Sequence, residues 1–289
     1  MDLNGLLFKR LCGYPGIKES LAEYAGNPAV FPLEVPPDQQ QGWGGRTQYP
    51  RICYRFDMQV NQERSSAGVL RAAIYTAKDL HMMNKIEDLV RRCLKDVLMK
   101  PSGQAPFCVA WAASQDYQMG EAGVMCREAA FDVLEYPDQT TTDPDPVMAV
   151  STFIKEMYPD SIVLGIDRTG DYVDSSDKPV FFCRLKDINS TTGHCMHSIA
   201  WFDCKVAVHL LYPDASKRLK MIAAINQRMA VEREVIMLDQ SPMRLNELQV
   251  NNTADYLREG QLMVTGKYGC LRGGEKKHYL TGIGMGFTD

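Results

Sequence analysis

The residues best suited by type and spacing to do chemistry are His194-Cys195-Met196-His197, with Cys183, Cys204 and His209 close in sequence. Imidazole and thiolate are ordinary zinc ligands, but zinc sites are built from paired short knuckles of the C-x2–4-C kind, and none stands here. The cluster follows Asn189-Ser190-Thr191-Thr192-Gly193, a turn sequence, and the flanking apolar runs hold Cys183 and Cys204 as strand residues. A hairpin loop that contains two histidines is the expectation, and no metal is expected.

The other chemical patterns are equally sparse. Carboxylate pairs at Glu87/Asp88 and Glu232/Glu234 fall on helix faces or ends, where solvated side chains are the expectation. The glycine-dense run Gly282-Ile283-Gly284-Met285-Gly286 has no helix after it to cradle a phosphate, so no nucleotide site is expected. No G-x-S-x-G elbow and no H-E-x-x-H helix occurs. Asn189-Ser190-Thr191 and Asn251-Asn252-Thr253 match the glycosylation pattern, which carries no meaning without secretion. The expectation is a protein that is not an enzyme and carries no cofactor. Arg91, Arg92 and Lys95 lie off the apolar stripe of their helix, which leaves solvent or a partner subunit as their neighbour.

The elements that position these residues are punctuated near the middle of the chain. Residues 136–146 combine three prolines, three threonines and three aspartates, and read as an extended linker. Pro146 suits the first turn of the helix that follows. Each side of the linker shows the same order. A short helix (3–12; 147–158) leads to an apolar run (Ala29-Val30-Phe31; Ile162-Val163-Leu164). A proline-opened strand follows (Pro50-Arg51-Ile52-Cys53-Tyr54; Pro179-Val180-Phe181-Phe182-Cys183), then a longer strand (68–75; 202–210). Next comes an amphipathic helix, with Ile86, Leu89, Val90, Leu94, Val97 and Leu98 in the first half and Leu219, Ile222, Ala223 and Met229 in the second. Asn84 with Glu87 reads as a capping box, and Asp214 as an N-cap. Two strands close each half, 106–112 with 124–134 and 243–250 with 261–268.

The fold class expected is α+β, a tandem duplication of one domain with an antiparallel or mixed sheet and helices packed on one face. Its parts are 1–137, a linker at 138–146, 147–272, and a glycine-rich tail at 273–289.

Composition bounds the partners. The 289 residues are 45% hydrophobic and 24% charged, with a formal net charge of −4. The first 137 residues carry 15 Lys+Arg against 16 Asp+Glu and the remainder 17 against 20, so neither half has the basic excess of a nucleic-acid-coating protein. Nine cysteines, an odd number set among apolar neighbours, suit buried thiols. With no signal-peptide pattern at the amino end and no apolar run of about 18 residues, the expectation is a soluble protein of a reducing cytoplasm, without membrane contact.

Several strings together resemble the tail-completion, or tail-terminator, proteins of tailed bacteriophages and prophages. These are Leu6-Leu7-Phe8-Lys9-Arg10-Leu11, Asn27-Pro28-Ala29-Val30-Phe31 and Tyr49-Pro50-Arg51-Ile52-Cys53-Tyr54, continued by Asp57-Met58-Gln59 and Asn61-Gln62-Glu63-Arg64. In the second half, Thr142-Asp143-Pro144-Asp145-Pro146-Val147 and residues 234–243 resemble two-domain members of that family. The likeness runs to about residue 272.

The resemblance implies a virion protein, made in the host cytoplasm, that forms a ring at the head-proximal end of the tail. Such a ring stops tube polymerisation and presents a surface to the neck or head, with a tail-tube protein and a neck or head-completion protein as partners. It needs no cofactor, and nucleic acid is met only as DNA passing through the lumen. Family rings are sixfold, so six chains, or three chains supplying six domains, are both open. A head–tail connector is the alternative position, and a prophage enzyme without a recognisable motif a second alternative. The expected contacts are Trp43 and Arg46 in the loop of residues 36–48, Arg91 and Arg92, and Lys276, Lys277 and Tyr279 in the tail. Trp43 is expected either to anchor a partner or to fold back on its own domain.

Overall fold

The computed structural model describes residues 2–44, 48–58, 66–118, 123–175, 177–191 and 198–271. The first half opens with helices α1 (Leu3–Gly13) and α2 (Pro15–Ser20) and short strands β1 (Glu23–Tyr24), β2 (Asn27–Pro28), β3 (Val30–Pro32) and β4 (Trp43–Gly44). Strands β5 (Arg51–Asp57) and β6 (Gly68–Ala77), helix α3 (Leu80–Leu94) and strands β7 (Val97–Met99), β8 (Phe107–Gln118) and β9 (Val124–Glu135) complete it. The second half runs α4 (Pro146–Met157), β10 (Ile162–Val163), β11 (Tyr172–Asp174), β12 (Val180–Thr191), β13 (Ile199–Leu211), α5 (Ala215–Glu232), β14 (Glu234–Ile236), β15 (Pro242–Val250) and β16 (Leu262–Leu271). The protein is mixed α+β.

An aspartate starts each of the four longer helices. The side chains of Asp2, Asp79 and Asp214 accept from the backbone N–H of Gly5, Met82 and Lys217, and Asp145 accepts from Val147 and Met148. Each satisfies N–H groups that the first turn leaves without an intrahelical partner. The capping box expected at Asn84/Glu87 is not one, because α3 begins four residues earlier at Leu80. Asn84 and Glu87 instead accept hydrogen bonds from Arg127 at 2.6 and 2.8 Å. Val97 and Leu98 leave the helical stripe as well. The chain turns at Asp96 (φ 54°) and they enter β7. In α5 the inward face is Ile222, Ile225 and Met229, and Leu219 is exposed.

Alternation along the strands turns one face of each sheet to its helices. Leu6, Leu7 and Leu11 of α1 with Met83, Ile86 and Val90 of α3 pack on Ile52, Leu70, Ile74 and Phe131. In the second half Val150 and Ile154 of α4 with Ile222, Ile225 and Met229 of α5 pack on Phe181, Val206, Val208 and Val264.

Beside a small sheet of order β2-β1-β4, the two large sheets have the orders β11-β7-β8-β9-β6-β5-β3 and β10-β12-β13-β16-β15-β14. With β11 set aside and the first sheet read from β3, the two match strand for strand. Each has one parallel pair at the same end, β3 with β5 and β10 with β12, and is antiparallel elsewhere. Each also carries a register shift in the same hairpin, at Trp111/Ala113 and at Leu245/Glu247. The departure is β11, which comes from the second half and pairs antiparallel with β7 of the first. No helix among the described residues is long and apolar enough to cross a membrane.

Candidate interaction surface

The site with the most geometry is the seam between the halves. Its strand contact sets Tyr172, Val173 and Asp174 opposite Met99, Leu98 and Val97. Backbone bonds extend it at both ends, Lys100 N–H to Asp171 O and Ser175 N–H to Asp96 O. Ser175 Oγ donates to the same Asp96 carbonyl at 2.6 Å. Beneath the strand, on the sheet face away from the helices, Leu98, Cys108, Leu134 and Tyr136 of the first half meet Leu164, Val180, Phe182 and Leu211 of the second, all buried.

Polar groups close the rim of the seam. Tyr256 donates to the Asp96 carboxylate, and Arg258 bridges Asp255 and the buried Asp132, the latter at 2.9 Å. Tyr136 Oη donates to Leu257 O at 3.1 Å. Lys9 and Arg10 of α1 face Asp171 and Asp174 at 3.5 and 3.7 Å. The first of these pairs is solvent-exposed and the second partly so, and each contributes roughly 0–1 kcal/mol, so apolar burial and the strand bonds hold the seam. No local pattern announces the rim pairings across the seam, because those partners lie 121 to 164 positions apart.

His209 lies inside this seam, against Phe182 and Tyr136, with Nδ1 3.4 Å from Tyr256 O and Nε2 buried without a partner. Burial pushes its pKa down to about 4, helped by the nearby cations Lys186 and Arg184. It is therefore neutral at pH 7 and occupies the seam as an aromatic ring. Cys183 and Cys204 are separate core residues, and His194, Cys195 and His197 lie outside the described residues. Among the described residues no group of three or more His, Cys, Asp or Glu could hold a metal ion. Burial raises the thiols of Cys93 and Cys183 to about 12 and those of Cys12 and Cys204 to about 11, so none is a thiolate at neutral pH.

The residues expected at contacts divide. Trp43 folds back on its own half, the second of its two expected placements. Its ring stands edge-on to Tyr24 and Phe31, and Nε1 donates to Pro37 O at 3.2 Å. Arg51 lies over it at 5.8 Å. Arg46, Lys276, Lys277, Tyr279 and the whole segment 273–289, Gly282 to Gly286 included, lie outside the described residues.

Arg91 and Arg92 do sit at the surface. Arg91 stacks over the half-exposed Trp111 at 4.1 Å and Arg92 pairs with Asp88 at 2.7 Å, beside a cleft of about 470 Å³ that reaches Tyr256. Glu87 corrects the expectation of a solvated carboxylate. It is largely buried, accepts from Ser114 Oγ at 2.7 Å and is paired with Arg127.

A second surface stands at β14. Val235 points into the second core while Glu234 and Ile236 point out, and a cleft of about 330 Å³ beside the strand is lined by Phe153, Glu156, Glu232 and Glu234. Ile236, Leu238 and Leu271 are exposed. Compared with known proteins, the sequence matches no protein-family model and no curated protein.

Proposed function

We propose that this chain is a structural subunit of a tailed-bacteriophage virion, with no catalytic role, which assembles with copies of itself into a ring. The ring caps the tail tube, ends its polymerisation and presents a docking surface for the neck or head. The observation that supports the reading is the seam. Two halves with the same strand order meet heterologously, the edge of one sheet taking a strand from the other half, and a contact of that kind repeats into a closed ring when its rotation closes.

On this reading the shared strand order, strand sense and register shift reflect tandem duplication of one domain. The residue strings set out above carry the likeness to tail terminators. Capping requires only that one ring face fit tube subunits and the other not, so complementary surfaces suffice.

The test is the chain's place in assembled particles. Density or label at the head-proximal tail end, together with overlong tails when the gene is deleted, is the expected result. Normal tails with the protein on the portal side would assign it to the neck, and absence from particles would end the reading.

A further inference from the structure

We propose that the corner of the second half formed by α5, β14 and the end of β16 is the docking surface for the first half of a second copy of this chain. The inference rests on the ring reading and names the contact by which copies join.

β7 and β14 hold the same place in the two sheet orders. Their sequences run alike, Val97-Leu98-Met99 and Val235-Ile236-Met237, with the valine and methionine of each in its own core. At β7 the outward residue Leu98 is 1% exposed, and Tyr136, just past β9, is 3% exposed, both beneath the second half. At β14 the outward Ile236 is 49% exposed, and Leu271, at the end of β16, is 83% exposed. Apolar side chains covered in one half are therefore bare at the same places in the other, and Leu238 extends the bare surface.

The faces left free select the occupant. The corner at β7 is flanked by Lys9 and Arg10, and the strand it receives carries Asp171 and Asp174. The corner at β14 offers Glu156 and Glu234 as exposed carboxylates beside its cleft, Glu232 being paired with Arg228 and the exposed Arg233 lying between. In the first half, β5 stands where β12 stands in the second. β12 brings Val180 and Phe182 to the seam, whereas β5 presents the exposed Arg55 outward, its Arg51 being already paired with Asp38 at 2.7 Å. A second half has this face already engaged in its own seam, through Val180, Phe182, Asp171 and Asp174, while a first half brings the exposed Arg55 toward Glu234. The contact is thus heterologous, first half on second half, the sense that propagates around a ring.

The full chain is weighed by native mass spectrometry and sedimentation across a concentration series. The wild type is expected to associate. Glu234→Arg and Arg55→Glu are each expected to weaken association by about tenfold or more, and the two combined to restore it to within about threefold of wild type. Ile236→Asp, with a circular dichroism spectrum like the wild type's, is expected to abolish it. Unchanged association in the single variants, or a double variant no better than either single, overturns this contact while leaving the tail-end reading standing, since a ring could close through another surface. A wild type that is monomeric throughout also overturns the contact, and the particle test then decides the function separately.

Discussion

His209 is the side chain whose charge state bears most directly on how the halves hold together. Its imidazole is packed against Phe182 and Tyr136 with one nitrogen unpartnered, so a proton added there brings a buried charge with Lys186 and Arg184 as like-charged neighbours. The folded pKa is about 4 against an ordinary value of 6.5. Between those values the unfolded chain binds more protons, so stability is fully present above pH 6.5 and falls as pH drops toward 4. At 1.36 kcal/mol per pKa unit the loss is about 3 kcal/mol. Urea unfolding of wild type and His209→Phe at pH 7.0 and at pH 4.5 measures it, with the variant expected to lose markedly less between the two. Equal pH dependence in both proteins would show that the imidazole is not desolvated in solution.

At the scale of the element, the start of α3 separates two readings. Asp79 accepts from Met82 N–H at 2.9 Å, whereas Asn84, four residues past the first residue of the helix, accepts from the Arg127 guanidinium. Asp79→Ala is expected to cost about 1 kcal/mol by chemical denaturation. Asn84→Ala is expected to cost less, because Arg127 keeps Asp116 and Glu87 as partners. The reverse order would return the cap to Asn84. Much of the element order was legible because prolines at 50 and 179, the first-turn Pro146, apolar alternation and the cap Asp214 are local signals. β7 was not, since Val97 and Leu98 continue the helical spacing of α3 and only the turn at Asp96 breaks it. β11 was not legible either, for a three-residue strand is defined by its partner, and that partner lies in the other half of the chain. The seam residues Asp96, Tyr256 and Arg258 fail for the same reason, while the surface position of Arg91 and Arg92 followed from helical periodicity alone.

At the scale of the whole molecule, the seam makes the two halves one folding unit. Among the described residues eight side chains form its buried apolar cluster, and β11 gives its backbone hydrogen bonds to a sheet built by the other half. Unfolding the second half alone would bare Leu98, Cys108, Leu134 and Tyr136 and strip the β7 edge, and removing the first half would bare Val180, Phe182 and Leu211 in the same way. Burying one such side chain is worth about 1.5–3 kcal/mol, so the cluster as a whole is comparable to the roughly 5–15 kcal/mol by which a domain is ordinarily stable. Calorimetry of the wild type at fixed protein concentration is therefore expected to show a single transition. Leu98→Asp sets a carboxylate in the apolar cluster without entering either helix-packed core, and is expected to split that transition into two while both halves keep their helical circular dichroism. Two well-separated transitions in the wild type would mean that the halves fold independently, and would remove the rigid two-half subunit on which a repeating first-half-on-second-half contact depends.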